Sequence, residues 1–366
     1  MQQKNKRNGK IELLRFIFCI FILFYHIGLP IYGRSDTPII GDHITFFSKG
    51  YLGVEFFFLV TGFLMARSVH KANRTSNNSV GTDSLRFMKK KIWSIFPYHL
   101  VAFYIMFAGI CIGKHLHITE IITSFFKSIP DLFFLSMSGI SCGEVNPVAW
   151  YLSAMFITMA ILYPLCRKHF DFMSKAVAPV LSVLLIGYLC QTNGKYQLAL
   201  VRKWDSICYV AIIRAMAEIL LGVFCYTISL KLKELKLTDN QRKGITVLEF
   251  ALYAICLVYM TSTLSYKLNV HCLLGLAVAI TITFSDISYK PEICNNRFCY
   301  ALGKASMPIY LVQMIPREVW LKMIGTPSSH SDILKYVLFV VTATLVLALI
   351  VKLIGDFIMK MTSKKA

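Results

Sequence analysis

Ten stretches of the chain are dominated by apolar residues, and each approaches the ~20 residues that a helix needs to cross a bilayer. Polar and basic segments separate them. They cover residues 11–30, 47–66, 92–112, 149–165, 176–192, 207–229, 245–263, 268–285, 300–316 and 333–355. Only helices and closed barrels satisfy the backbone in lipid, and runs of this length form helices. The pattern predicts an all-α fold, a polytopic membrane helical bundle of about ten transmembrane helices.

One further apolar stretch, residues 119–140, is interrupted by Lys127, Pro130 and Asp131. We interpret it as a re-entrant or interfacial piece, because charges and a proline make a poor span. It belongs to the longest predicted outward segment, residues 113–148. A segment of that length either holds an extracellular substrate or is a solvated loop.

Arg15 and His26 lie eleven positions apart in the first run. At ~100° per residue this is about three turns, so both side chains lie on one helix face, roughly 16 Å apart along the axis. Ionisable residues within spans are costly and are functional candidates. The simpler explanations are an arginine that reaches the headgroups and an interfacial, hydrogen-bonded histidine. The shared face indicates that both residues can line one buried path.

Other runs also contain polar residues. Glu55 lies among apolar neighbours and needs a partner or a proton there. Arg214 and Glu218 are four positions apart, so they can pair on one helix face, either in a site or as a packing device. Trp150 opens the fourth run, where an aromatic belt is the simpler explanation. Tyr310 belongs to a run that is too polar to face lipid, so we expect that helix to line the interior.

The composition supports a membrane protein and gives it an orientation. The chain has 366 residues, of which 56% are hydrophobic, and a mean hydropathy of +0.59. The net charge of +20 is unevenly distributed. When cations at span ends are counted with the adjoining loop, segments on the N-terminal side hold 25 of the 39 Lys and Arg residues, and opposite loops hold 11. The positive-inside rule then predicts that both termini are cytoplasmic.

The same distribution argues against nucleic-acid binding, because no basic patch resembles a groove reader. Some of the surplus positive charge suits contact with anionic membrane lipid. The eleven cysteines are scattered and form neither a disulfide framework nor a paired metal motif. We therefore expect no bound metal or other cofactor. Because the apolar runs extend over nearly the whole chain, we also expect a single membrane domain over residues 1–366 with no fused extracytoplasmic domain.

Several motifs together resemble the acyltransferase 3 family, multi-span enzymes that O-acylate sugars and other hydroxylated acceptors at the bacterial membrane. Arg15 and His26 fit its first-span pattern of Arg, ten residues, then His. The second-span pattern resembles "LGVEFFFLVTGFLM", in which Glu55 takes the acidic position and Thr61 replaces the usual Ser. The family's basic cytoplasmic stretch resembles "KKKIWSIFP", with Ser94 where Arg is usual.

Two later motifs extend the resemblance. The span that begins Trp-x-Leu-Ser resembles "NPVAWYLSAMFITMAILYPL", with Met155 at a position where Glu is common. The Gly-Lys-x-Ser-x-x-x-Tyr-Leu pattern resembles "LGKASMPIYLVQM", with Gln313 at a position where His is common. The motifs occur in the family's order. The resemblance implies a multi-pass protein of the cytoplasmic (inner) membrane in a bacterial cell envelope.

The resemblance also implies acyl-CoA, commonly acetyl-CoA, as co-substrate, and a glycan or lipid-linked sugar as acceptor. Under this hypothesis His26 is the general base, because a neutral imidazole has a pKa near neutral pH. Arg15 binds the donor's phosphates or steadies the oxyanion, and Glu55 orients His26 if their spans pack side by side. The other assignments are donor binding by Lys89, Lys90, Lys91 and Arg214, and acceptor binding by Trp150, Tyr310 and Glu218.

The alternative is a secondary transporter of a glycan, a lipid-linked sugar or a small metabolite. It would use the same Arg, His and Glu residues as a binding and proton-relay site. No nucleotide-binding loop and no clear inverted repeat supports transport. The two functions differ in one observable, because only an acyltransferase consumes an acyl-CoA thioester.

Overall fold

The structure is a computed structural model that describes residues 8–32, 47–192, 201–262, 264, 268–289 and 294–363. The basic tail at residues 1–7 and the last residue of the predicted span 245–263 lie outside these ranges. The described helices are α1 (Gly9–Tyr32), α2 (Gly53–Thr75), α3 (Val80–Trp93), α4 (Phe96–Gly113), α5 (Ile118–Leu132), α6 (Trp150–Lys168), α7 (Phe170–Phe172), α8 (Ala178–Thr192), α9 (Val210–Leu232), α10 (Asp239–Thr261), α11 (Asn269–Ser285), α12 (Arg297–Val312), α13 (Met314–Met323) and α14 (His330–Ser363). One small hairpin pairs β1 (Trp204–Asp205) with β2 (Cys208–Tyr209).

Eight helical segments within the described ranges are long and apolar enough to cross a membrane, and α11 is a shorter apolar helix. The eight segments are α1, α2, α4, α6, α7 with α8, α9, α10 and α14. The 15-residue α5 is not among them, although it covers most of the apolar stretch 119–140. The helical membrane bundle is confirmed, whereas the count of ten spans and the side of the termini stay predictions.

The third predicted span begins too early, because a break separates α3 from α4. Helix α3 ends at Trp93, and α4 begins at Phe96 with Pro97 in its first turn. Proline lacks a backbone N–H and is tolerated only at such a helix start. Helix α3 instead lies along α6, where the rings of Phe87 and Tyr163 stack with centroids 4.1 Å apart.

The predicted span 300–316 is also wrong as a single element. Helix α12 ends at Val312, the chain turns at Gln313, and α13 follows. Pro316 explains the break, because a proline ring clashes with the carbonyl four residues before it, here that of Val312. The break places Gln313 and α13 at the same end of the bundle as the end of α1.

Helices α1 and α12 run parallel and in close contact. The backbone at Gly303 lies against Glu12, where a Cβ atom would collide with the glutamate. Further along both helices, Cys19 Sγ donates to the Ser306 carbonyl at 3.1 Å, an offset of 287 positions. Both contacts advance in the same direction along the two helices, so α1 and α12 are parallel, and the second contact lies nearer to His26 than the first.

Helices α2 and α9 approach each other through glycines. A Cβ atom on Gly62 would collide with the backbone of Ile219, and one on Gly222 would collide with the carbonyl of Leu59. Small residues allow helix backbones in membranes to approach this closely. The contact places the first turns of α2 beside the polar residues of α9.

Candidate active site

The inner end of the bundle, defined here as the end at which α1 begins, brings two cations together. Arg15 is partly exposed and pairs with Glu12 at 3.4 Å. Lys91, at the end of α3, lies close enough for the Arg15 charge to act on it. Burial, and secondarily that charge, lowers the pKa of Lys91 to about 8. Lys89 and Lys90 are exposed on the same helix, so this end suits a polyanion.

The middle of the bundle holds a buried cluster of three ionisable side chains. Arg214 Nε donates to Glu218 Oε1 at 2.8 Å, and both side chains are almost completely buried. Glu55 is fully buried and interacts electrostatically with both residues, while neither of its carboxyl oxygens has a hydrogen-bond partner among the described residues. The Arg214 guanidinium lies over the Trp150 ring, 5.7 Å from its centroid.

From the sequence we expected Glu55 to lie beside His26 and to orient its imidazole. The structure places the two residues apart. The Phe56 ring stacks on Phe18, with centroids 4.4 Å apart, so Glu55 lies near the depth of Phe18. His26 is eight residues further along α1, about 12 Å toward the opposite, outer end. The structure joins Glu55 to α9, and the expectation that it orients the imidazole is not met.

His26 lies at the outer end, close to the break between α12 and α13. The Cys19–Ser306 contact, seven residues before both His26 and Gln313, brings these two residues to the same end of the bundle. The side chains of His26 and Gln313 interact, and the charges of Arg317 and Arg202 act on the imidazole. The His26 Nδ1 atom is buried and has no hydrogen-bond partner among the described residues. A buried polar atom of this kind requires a hydrogen-bond partner.

Two tyrosines connect the inner and outer groups. The Tyr151 and Tyr310 rings lie with their centroids 5.8 Å apart. The Arg15 charge acts on Tyr151, and the Arg214 charge acts on Tyr310. The Tyr310 hydroxyl donates to the Val148 carbonyl at 2.7 Å. The Arg202 charge acts on both Tyr310 and His26. These groups, from Lys91 and Arg15 through the tyrosines and the middle cluster to His26, are called the polar column below.

The burial of Trp150 contradicts the aromatic-belt explanation. Its side chain is only 9% exposed and packs against Phe58, with ring centroids 6.3 Å apart. An aromatic belt would face the lipid headgroups at the surface of the bundle. Trp150 instead forms part of the interior wall beside Arg214.

Sequence reasoning missed Arg317 and Arg202. Arg317 is one helical turn beyond Gln313. If the proline break is recognised in the sequence, the 3.6-residue period of the new helix predicts that both residues lie on one face. Arg202 pairs with Glu144 across two loops, and no local pattern in the sequence predicts that pairing. No group of three His, Cys, Asp or Glu side chains that could hold a metal ion converges within the described ranges.

A multi-span bundle with this buried polar column defines an integral membrane protein with an interior site. A family model described as an acyltransferase domain matches residues 8–352, nearly the whole chain. The chain belongs to the acyltransferase 3 family and is, in general terms, a membrane acyltransferase. No curated protein and no solved structure matches it.

Proposed function

We propose that the protein is a membrane O-acyltransferase of the bacterial inner membrane. It moves an acyl group, such as acetyl, from cytoplasmic acyl-CoA at the inner end to a hydroxyl of a cell-surface glycan or other sugar-containing acceptor. The observation that carries the proposal is the polar column from Lys91 and Arg15 to His26. Its two ends offer what the two substrates need, which are positive charge for the donor and a candidate base for the acceptor.

The inner end provides what the donor needs. CoA carries several phosphate charges, and Lys91 with Arg15 offers fixed and partly buried positive charge. Lys89 and Lys90 extend this charge to the exposed surface of α3, where they raise the local concentration of a polyanion. A guanidinium also binds phosphate through two parallel hydrogen bonds, which orients the donor as well as holding it.

The outer end provides the base. A thioester is already activated, so the enzyme must position it, remove the acceptor's proton and stabilise the oxyanion. The hydroxyl proton passes to His26, the oxygen attacks the thioester carbonyl carbon, and the carbon–sulfur bond breaks. The leaving thiolate then takes up a proton, so the overall reaction yields an ester and CoA. Positioned acid–base catalysis of this kind contributes ~10²–10⁴-fold.

The middle cluster lies between these two ends of the bundle. Arg214, held by Glu218 and by the Trp150 ring, is a fixed cation in a region without bulk water. Such a cation binds a polar or anionic group of the donor more strongly than it would in water. Tyr310 contributes a hydroxyl oxygen with remaining acceptor capacity for a donor or acceptor group.

The test is acyl-CoA consumption by membranes that contain the protein, combined with mass spectrometry of the surface glycan. We expect wild type to release CoA and to add acyl mass to the glycan. His26→Ala should lower both by ~10²–10⁴-fold. The matched control is His271→Ala, because His271 is an exposed histidine on α11, and it should retain full activity at equal membrane abundance.

Two results would overturn the proposal. If wild-type membranes consume no acyl-CoA above the level of membranes without the protein, transport of the same sugar-containing molecules becomes the better explanation. If His26→Ala consumes acyl-CoA as fast as His271→Ala does, the histidine is structural.

A further inference from the structure

A helix face beside His26 carries buried polar atoms that no described protein group satisfies. Gln313, Arg317 and Trp320 follow one another at spacings of four and three residues, so they lie along one side of α13 and of the residue that precedes it. The unpartnered atoms are Gln313 Oε1, Arg317 Nε and Trp320 Nε1. Buried polar atoms are nearly always hydrogen-bonded, so several of them on one face indicate a ligand.

Tyr336 of α14 fixes this face against α1. Its hydroxyl donates to the Ile27 carbonyl at 3.2 Å, its ring centroid is 5.7 Å from that of Trp320, and its side chain interacts with Arg317. Ile27 directly follows His26. The contacts therefore place the unpartnered donors of α13 next to the imidazole and its own unpartnered Nδ1 atom.

The charge of this region is positive. Arg317 and Arg202 both act on His26. Arg202 is paired with Glu144, whereas Arg317 has its neighbour Glu318 at 3.4 Å, a carboxylate that is 42% exposed. Exposed ion pairs contribute little, so Arg317 keeps most of its capacity to bind an anion. An anion placed against its buried Nε atom would form a strong, charge-assisted hydrogen bond.

We propose that Gln313, Arg317 and Trp320 form the acceptor-binding subsite, and that the acceptor carries an anionic group, a carboxylate or a phosphate, that Arg317 binds. The inference rests on the proposed function, because it takes His26 as the group that activates the acceptor hydroxyl. Gln313 Oε1 accepts a hydrogen bond from a sugar hydroxyl, and Trp320 Nε1 donates one to a sugar oxygen. A neutral sugar leaves Arg317 unmatched and binds more weakly.

The test uses the purified full-length protein in lipid nanodiscs and three probes: glucuronate, glucose 1-phosphate and glucose. Their dissociation constants are measured by calorimetry. At least one anionic sugar should bind about 10- to 100-fold more tightly than glucose, as expected for one buried hydrogen bond to a charged group. The stronger of the two anionic probes identifies a carboxylate or a phosphate as the preferred group.

Variants locate the effect on α13. Arg317→Gln should abolish the preference for the anionic sugar, and Arg317→Lys should restore part of it because the charge returns without the planar fork. The matched control is Lys322→Gln, which removes one positive charge from an exposed position of the same helix and should keep the preference. Thermal unfolding of each variant establishes that it is folded.

The proposal is overturned if glucose binds as tightly as both anionic probes, if none of the three binds, or if Arg317→Gln keeps the preference. Acyl-CoA consumption by membranes that contain the protein and the cell's own glycan tests the proposed function separately. Consumption that depends on His26, together with sugar binding that ignores charge, refutes the acceptor inference alone. Charge-dependent binding at Arg317 without any acyl-CoA consumption refutes the acyl transfer instead.

Discussion

At the scale of single residues, buried charge dominates this molecule. Arg214 lies beside two carboxyl groups, those of Glu55 and Glu218, in the middle of the bundle. Removing ionised groups from water costs several kcal/mol for each ion unless a partner compensates. The cluster therefore has to be considered as a unit, since each member sets the cost of burying the others.

We predict that Arg214→Ala lowers the free energy of unfolding by about 3–5 kcal/mol, because it leaves buried carboxyl groups without compensation. The double variant Arg214→Ala/Glu218→Ala should lose less than the sum of the single variants, since the two residues are in contact. The measurement is equilibrium unfolding in detergent. Arg86→Ala is the control, because Arg86 is exposed on α3, and equal losses from Arg86→Ala and Arg214→Ala would contradict the prediction.

Lys91 gives donor binding a dependence on pH. Its lowered pKa, about 8, means that the ammonium loses its proton as the pH rises from 7 to 9. The KM for acyl-CoA should therefore increase over this range, by roughly tenfold if one charged hydrogen bond is lost. Lys91→Arg keeps its charge and should flatten the profile.

The readout for this prediction is the KM for acyl-CoA in buffered membranes at several pH values. Lys335→Arg serves as the control, because Lys335 is exposed on α14, and it should follow the wild-type profile. An unchanged profile in Lys91→Arg would show that Lys91 does not contact the donor.

At the scale of the elements, close helix contacts decide where the charges meet. The glycine contact between α2 and α9 allows Glu55 to lie against Arg214, and the parallel packing of α1 on α12 brings Gln313 to the same end of the bundle as His26. Both arrangements depend on glycines or other small residues at the helix contact. The break at Gln313 then turns α13 over the end of α1.

We predict that Gly62→Ala destabilises the protein by about 1–3 kcal/mol, because a Cβ atom there collides with the Ile219 backbone and cannot be relieved by a side-chain movement. Gly109→Ala and Gly187→Ala are matched controls within helices, where an added Cβ meets nothing. They should be neutral or stabilising by about 0.5–1 kcal/mol. Thermal unfolding compares the three, and a tolerated Gly62→Ala would argue against the close contact.

At the scale of the whole molecule, the column requires that its two ends face opposite sides of the membrane. The predicted topology places the termini and Cys294 in the cytoplasm, and the segment before α6, which contains Cys142, outside. Both cysteines are partly exposed. Single-cysteine variants can therefore report the two sides separately.

We expect a membrane-impermeant maleimide to label Cys142 in intact cells and to label Cys294 only after the membrane is permeabilised. The reason is the positive-inside distribution of Lys and Arg together with ten crossings. Mass spectrometry of the labelled protein gives the result. The predicted topology has an odd number of spans between the two cysteines. Labelling of both cysteines from the same side would mean that this number is even.

Much of the architecture could be predicted from local pattern alone. Hydrophobic run length located the apolar part of the long helices, but it missed the polar last turns of α2 and α14, which end eight or nine residues beyond the predicted runs. It also missed the breaks at Pro97 and Pro316, where a new helix begins within a predicted run. The motif residues Arg15 and His26 indicated the family, which the family model confirms. The partners of Glu55 and His26 could not be predicted, because each partner is on a helix distant in sequence.

By itself, the sequence determined that this chain is a helical membrane protein of the acyltransferase 3 family, because the length of apolar runs and the spacing of residues within one helix are local properties. Only the tertiary structure decided that Glu55 joins Arg214 while His26 meets Gln313 and Arg317. The physical reason is that helix packing depends on contacts between whole faces. A single polar residue carries no information about which face it will meet.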